Sequence, residues 1–330
     1  MERSSPNHSC SQVLRKPRCR FFAWPLVLWL FGSTGCGETK PTINIVAYKK
    51  EVVADDGYGL KAFDLHLKGN PPDESPQAWM FYLVGSEPVS ILDSMAQYAE
   101  LIAQGFVVVL VQPRGVSADG TIDRKIFRQY ETRGRRVADQ HSVLAAYVGG
   151  AAGAKVLLVG SSQSGVVASE VAADNGLVTH LLMMASGGGW NQAEEMTHHV
   201  QRGQGPVPTV QDLNAQFDLI RASPASDTMW LGHPYRMWSS YLWYRPLDSL
   251  KKRSIPMFLA QGTEDRATPV ESARVLRDEF ARLGLGNLTY AEYPGLDHHF
   301  NDAAGESRLL DLQAGVFAWM AQNGLLQQTR

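Results

Sequence analysis

The sequence predicts an α/β fold: a mostly parallel, doubly wound sheet with helices on both faces. Three observations predict it. From residue 80 onward the chain carries short, nearly continuous apolar runs, the pattern of strands buried on both faces of a parallel sheet. Helical stretches separate these runs, and strand alternating with helix builds a doubly wound sheet. The chain has 330 residues, 44% of them apolar, enough to bury one large core.

The elements follow in order. Residues 43–53 and 58–68 mix apolar and polar side chains around Asp55-Asp56-Gly57, which reads as a hairpin with a glycine turn. Asn70-Pro71-Pro72-Asp73 and Ser75-Pro76 make a loop. Apolar runs at 80–84, 106–111, 156–159, 180–184 and 257–260 are the core strands. Stretches 91–103, 136–148, 166–174 and 272–283 are the helices between them. About seventy residues separate the strands near Met184 and Met257, too many for one crossover connection. The region from about 187 to 250 therefore reads as an inserted cap lying over the sheet's functional edge. It holds Gly187-Gly188-Gly189, a helical piece at 210–220, and the aromatics Trp230, Tyr235, Trp238, Tyr241, Trp243 and Tyr244. Most of those aromatics are expected to anchor the cap. The His198-His199 doublet within it reads as exposed.

Charge excludes some functions. With 31 Lys and Arg against 33 Asp and Glu, the chain lacks the basic surplus that phosphate backbones require, so nucleic acid is not its partner. No apolar run reaches the ~18–20 residues of a membrane-spanning helix. The first 35 residues are nevertheless basic, with Arg3, Arg15, Lys16, Arg18 and Arg20 against Glu2 alone. Setting those five bases and one acid aside leaves 26 bases and 32 acids, a net charge of −6. An uncharged run from Phe21 to Phe31 follows, then Gly32-Ser33-Thr34-Gly35-Cys36. A basic segment, a short apolar run and a small-residue exit describe a signal peptide over residues 1–35. Ser33-Thr34-Gly35-Cys36 resembles the bacterial lipobox, with Ser33 where Leu is usual, which implies lipidation of Cys36. The expected location is the cell envelope, lipid-anchored at a bacterial membrane, or otherwise periplasmic or secreted. Cys10, Cys19 and Cys36 are the only cysteines, so residues 37–330 contain neither a disulfide framework nor a Cys-based zinc site.

Three places carry chemistry. In Val159-Gly160-Ser161-Ser162-Gln163-Ser164-Gly165, an apolar strand enters a turn of tiny residues and then a helix. Such a turn strains its central residue and needs small neighbours two positions away on each side. Gly160 and Ser164 satisfy this around Ser162, whereas centring on Ser164 would put Val166 where a small residue belongs. The loop lacks the Lys of a phosphate-binding Walker motif. In Gln261-Gly262-Thr263-Glu264-Asp265, an acid follows a strand at its carboxyl end, with Glu264 as the rival to Asp265. In Gly295-Leu296-Asp297-His298-His299-Phe300, the loop after a strand carries two histidines. Adjacent histidines seldom share one ion, and no further ligand cluster supports a metal.

Ser162, Asp265 and His298 on successive strand ends resemble the α/β-hydrolase fold. Gly-Ser-Ser-Gln-Ser-Gly is similar to that family's elbow Gly-His-Ser-Gln-Gly-Gly, Gly262-Thr263-Glu264-Asp265 to its acid turn, and the 295–300 loop to its histidine loop. The match spans roughly residues 80–324. In the family loop the His precedes a variable residue and then Phe, which selects His298. Ser161 replaces the usual His, and Val84-Gly85-Ser86 stands where a His-Gly pair is common.

The resemblance implies a serine hydrolase domain over residues 36–330 that acts on small ester or peptide substrates. Ser162 would be the nucleophile, His298 the base and Asp265 its orienter, with Gln163 and Ser86 N–H groups as oxyanion donors. No metal or organic cofactor is required. Ester cleavage through an acyl-Ser162 intermediate is the favoured reaction. Peptide cleavage and acyl transfer on the same triad, or a non-catalytic envelope binding role, are the alternatives.

Overall fold

The computed structural model describes residues 44–68, 76–91, 95 and 98–326. The signal-peptide and Cys36 expectations lie outside these residues. Among them, no helix is long and apolar enough to cross a membrane.

The hairpin forms as expected, with β1 (Ile45–Val53) and β2 (Gly59–Leu67) antiparallel and in register from Ile45–Leu67 to Val53–Gly59. Next come β3 (Ala78–Leu83), α1 (Ala99–Ala103), β4 (Phe106–Val111), α2 (Arg124–Tyr130), α3 (Arg133–Val148), β5 (Val156–Ser161), α4 (Gln163–Asp174) and β6 (His180–Met184). The stretch from 185 to 256 contributes α5 (Gln192–Gln201), α6 (Val210–Ala222), the two-residue strands β7 (Met229–Trp230) and β8 (His233–Pro234), α7 (Tyr235–Tyr241) and α8 (Pro246–Leu250). The chain then returns with β9 (Met257–Gly262), α9 (Val270–Arg282), β10 (Leu288–Tyr293) and α10 (Leu309–Gln322).

Eight strands form one sheet in the order β1-β2-β4-β3-β5-β6-β9-β10. Only β2 runs against its neighbours, and every other pairing from β4 to β10 is parallel. β3, β4, β5, β6 and β9 are buried at every position, because apolar layers cover both faces. One layer holds Val143 of α3, Val167 and Val171 of α4 and Leu276 of α9. The other holds Leu101 of α1 and Leu312, Val316 and Trp319 of α10.

Sheet topology places the site. The chain moves from β3 to β4 on one side, then crosses back over β3 to β5 on the other. The loops leaving β3 and β5 diverge there and open a crevice at the strands' carboxyl ends.

Three helices start earlier than the apolar pattern suggests, α9 by two residues at Val270. α3 begins at Arg133 and α4 at Gln163, since a first turn facing solvent or a ligand carries no apolar stripe. Of the helix expected from residue 91, α1 occupies Ala99–Ala103, and positions 92–94 and 96–97 lie outside the described residues.

Candidate active site

Ser162 joins β5 to α4 with φ 55° and ψ −131°, a conformation that β-branched and bulky residues avoid. Close packing beneath it explains the tiny neighbours. A Cβ on Gly160 would lie 2.6 Å from the Ser164 carbonyl oxygen, and one on Gly165 would lie 2.1 Å from Ser186 Oγ. The Ser162 N–H donates to the Met184 carbonyl at 2.9 Å, so the turn is tied to β6. Ser164, the rival centre, is buried with its hydroxyl committed to backbone. Its Oγ accepts from Ser161 N at 2.8 Å and lies 2.7 and 2.8 Å from the carbonyl oxygens of Ser161 and Leu83.

Asp265 follows β9 and is 5% exposed. Its Oδ1 accepts from Ala267 N and Thr268 N, each at 2.8 Å, and its Oδ2 from Gln261 Nε2 at 2.8 Å. The carboxylate also receives His298 Nδ1, 2.8 Å from Oδ2 and 2.9 Å from Oδ1. An acceptor-only carboxylate requires the imidazole proton to sit on Nδ1. His298 Nε2 is then a free acceptor, 3.0 Å from Ser162 Oγ. Glu264 points to solvent, and His299 is exposed with its N–H on Asp297 Oδ1 at 2.8 Å. The three side chains singled out from sequence therefore meet in one hydrogen-bonded chain.

Gln163 and Ser86 border the same cavity as Ser162, and neither of their N–H groups donates to a protein acceptor among the described residues. The Gln163 N–H is also an orphan of the first turn of α4. Among the described residues no cluster of His, Cys, Asp or Glu could hold a metal ion.

The cavity over Ser162 measures about 190 Å³, and the 185–256 stretch roofs it with Trp190, Met196, Met237, Trp238 and Tyr241. Several aromatics expected to anchor the cap thus face a ligand space, while Trp230 packs on Trp238 behind the wall at 5.0 Å between ring centroids. The sequence reading of the histidine doublet needs correction. His198 lies 3.5 Å from Glu271, but His199 is buried, because neighbours on a helix point about 100° apart.

Two contributors escaped sequence reasoning. Gln261 bridges Gly187 N at 3.2 Å, Asp265 and the Thr268 carbonyl; its signal is a polar side chain in an otherwise apolar strand. Glu195 lines the cavity from α5, and burial pushes its carboxyl up to about 8. Nothing in the sequence separates it from Glu194, which instead caps α5 and pairs with Arg245.

Residues 69–307 match the profile of the Alpha/beta hydrolase family. A comparison with curated proteins finds no matching sequence. Among solved structures, a puromycin-hydrolyzing peptidase of Mycobacterium tuberculosis superposes with a TM-score of 0.60 at 17% identity, over 85% of this chain and 40% of that one. Est1E from Butyrivibrio proteoclasticus gives 0.54 at 16% identity, over 83% of this chain and 98% of its own. The acylaminoacyl peptidase of Pyrococcus horikoshii gives 0.59 at 11% identity, over 87% and 43%. The chain thus spans less than half the length of either peptidase and nearly all of Est1E.

Proposed function

The chain belongs to the alpha/beta hydrolase family, and on that premise we propose that it is a serine hydrolase cleaving carboxylic esters through an acyl-Ser162 intermediate. One observation carries this reading: a strained, cavity-facing Ser162 hydroxyl lies 3.0 Å from a His298 nitrogen whose partner is a buried carboxylate. A serine hydroxyl is a weak nucleophile at neutral pH, so His298 Nε2 takes its proton as Oγ bonds to the substrate carbonyl carbon. Asp265 keeps Nδ1 protonated and stabilises the imidazolium. The Gln163 and Ser86 N–H groups receive the oxyanion, each donor contributing about 3–4 kcal/mol to the transition state. His298 then gives its proton to the departing alcohol. In the second half a water molecule, deprotonated by the same nitrogen, releases the acid and restores Ser162. Lipidation of Cys36 belongs to the same proposal and rests on the basic and apolar N-terminal segment.

The test is covalent labelling with a fluorophosphonate probe, followed by a panel of p-nitrophenyl esters and aminoacyl-naphthylamides. Labelling of Ser162 with turnover of esters is the expected result. Labelling with turnover of the amides alone would make the protein a peptidase. An intact, folded protein that neither labels nor turns over any substrate would overturn the hydrolase reading.

A further inference from the structure

Glu195 reaches the cavity from α5, and no step of the proposed mechanism uses it. Ser272 Oγ accepts from Gly188 N and Trp190 N, both at 3.2 Å, so its single proton is left for the Glu195 carboxylate. Gly187 packs against that carboxylate, since a Cβ there would come within 2.7 Å of Glu195 Oε1.

The electrostatic surroundings are one-sided. Neighbouring Asp265 is answered by His298, and Glu194 by Arg245. Glu195 has no cationic partner among the described residues. Among those lining the cavity there is no Lys or Arg, and burial pushes the His233 imidazole down toward its neutral form. A half-buried carboxyl without a counter-charge holds its proton more tightly, and a cation beside it would favour the ionised form. Glu195 lines the cavity where a substrate must lie, and Trp190 and Trp238 line it as well. Indole faces attract cations, most strongly away from water. Tyr244, also in the wall, already stacks on Arg133 at 4.1 Å, and that guanidinium is paired with Glu170.

We propose that Glu195, with Trp190 and Trp238, forms a subsite for a cationic ammonium group, and that the substrates of this site are esters carrying such a group within reach of the scissile bond. The proposal rests on Ser162 being the reacting atom, and names the substrate class of that same site. A cavity of about 190 Å³ has room for a trimethylammonium or primary ammonium head with a short linker.

Two substrate pairs test it, each a permanent cation against its carbon isostere. Acetylthiocholine is compared with 3,3-dimethylbutyl thioacetate for a charged leaving group. The p-nitrophenyl esters of 4-(trimethylammonio)butanoate and 5,5-dimethylhexanoate are compared for a charged acyl group. In at least one pair, kcat/KM should favour the cation by about tenfold or more, the scale of a close pair of opposite charges away from water. Glu195→Gln should cut that ratio to less than about threefold, and Glu195→Asp should keep part of it. If the Gln variant does not fold, Glu195→Met supplies a neutral replacement of similar length. Equal rates in both wild-type pairs, or a preference that survives loss of the carboxylate, would overturn the proposal. Fluorophosphonate labelling reports on Ser162 separately. If neither labelling nor turnover occurs, calorimetry with choline and 3,3-dimethylbutan-1-ol decides the subsite alone: selective choline binding, lost in Glu195→Gln, upholds it, and equal binding rejects it.

Discussion

Replacing Asp265 by Asn tests the site's proton arrangement, because the structure dictates where the amide must point. Oδ1 accepts two backbone N–H groups, from Ala267 and Thr268, so the Asn oxygen has to take that position. The new NH₂ then occupies the place of Oδ2, facing Gln261 Nε2 and His298 Nδ1, both of which donate in the wild-type site. His298 relieves its clash by moving its proton to Nε2, the atom that must accept from Ser162. Catalysis should fall about 10⁴-fold, the size of the tautomer error in serine proteases with the same exchange. Gln261 Nε2 keeps the Thr268 carbonyl, so stability should fall by only about 1–3 kcal/mol. The assay is kcat on a p-nitrophenyl ester together with a thermal melt. His299→Ala and Glu264→Gln serve as controls, since both side chains lie outside the relay, and each should cost less than about tenfold. A folded Asp265→Asn enzyme with more than a tenth of wild-type kcat, or equal damage from His299→Ala, would refute the assignment.

Ser162→Ala should abolish fluorophosphonate labelling with little change in melting temperature. Ser164→Ala should retain labelling but lose about 1–3 kcal/mol, because Ser161 N–H would be left buried and unpaired; the reverse pattern would recentre the elbow. Arg136 pairs with buried Glu131 at 3.0 Å and also donates to the Val84 carbonyl, two residues before Ser86. Arg136→Met should therefore cost about 3–5 kcal/mol, a fall in Tm on the order of 10 °C, and adding Glu131→Gln should recover part of it in the same melt. Cys36→Ser should release the protein into the soluble fraction or leave its signal attached, as fractionation and intact mass would show; unlipidated wild-type protein would exclude the anchor.

Much of the fold is written in local chemistry. Runs such as Phe106–Val111, short, valine-rich and apolar on consecutive residues, read as strands covered on both faces, and the glycine and serine spacing around Ser162 states a strained strand-to-helix turn. α10 was not singled out from the sequence, although its apolar residues at 309, 312, 316, 319 and 320 fall at helical spacing. The order of Ser162, Asp265 and His298, each past a strand, carries the resemblance that marks them as the candidate relay. Sequence could not choose between neighbours by geometry alone. His199 differs from His198 and Glu195 from Glu194 only in the direction a side chain takes, and packing sets that direction. Only the tertiary structure committed the Ser164 hydroxyl to backbone and brought Gln261 and Gly187 behind Asp265. It alone turned the cap's indoles and Glu195 inward over Ser162. Secondary structure follows from periodicity along the chain, whereas the contents of a cavity depend on contacts between residues far apart in sequence, which no local pattern encodes.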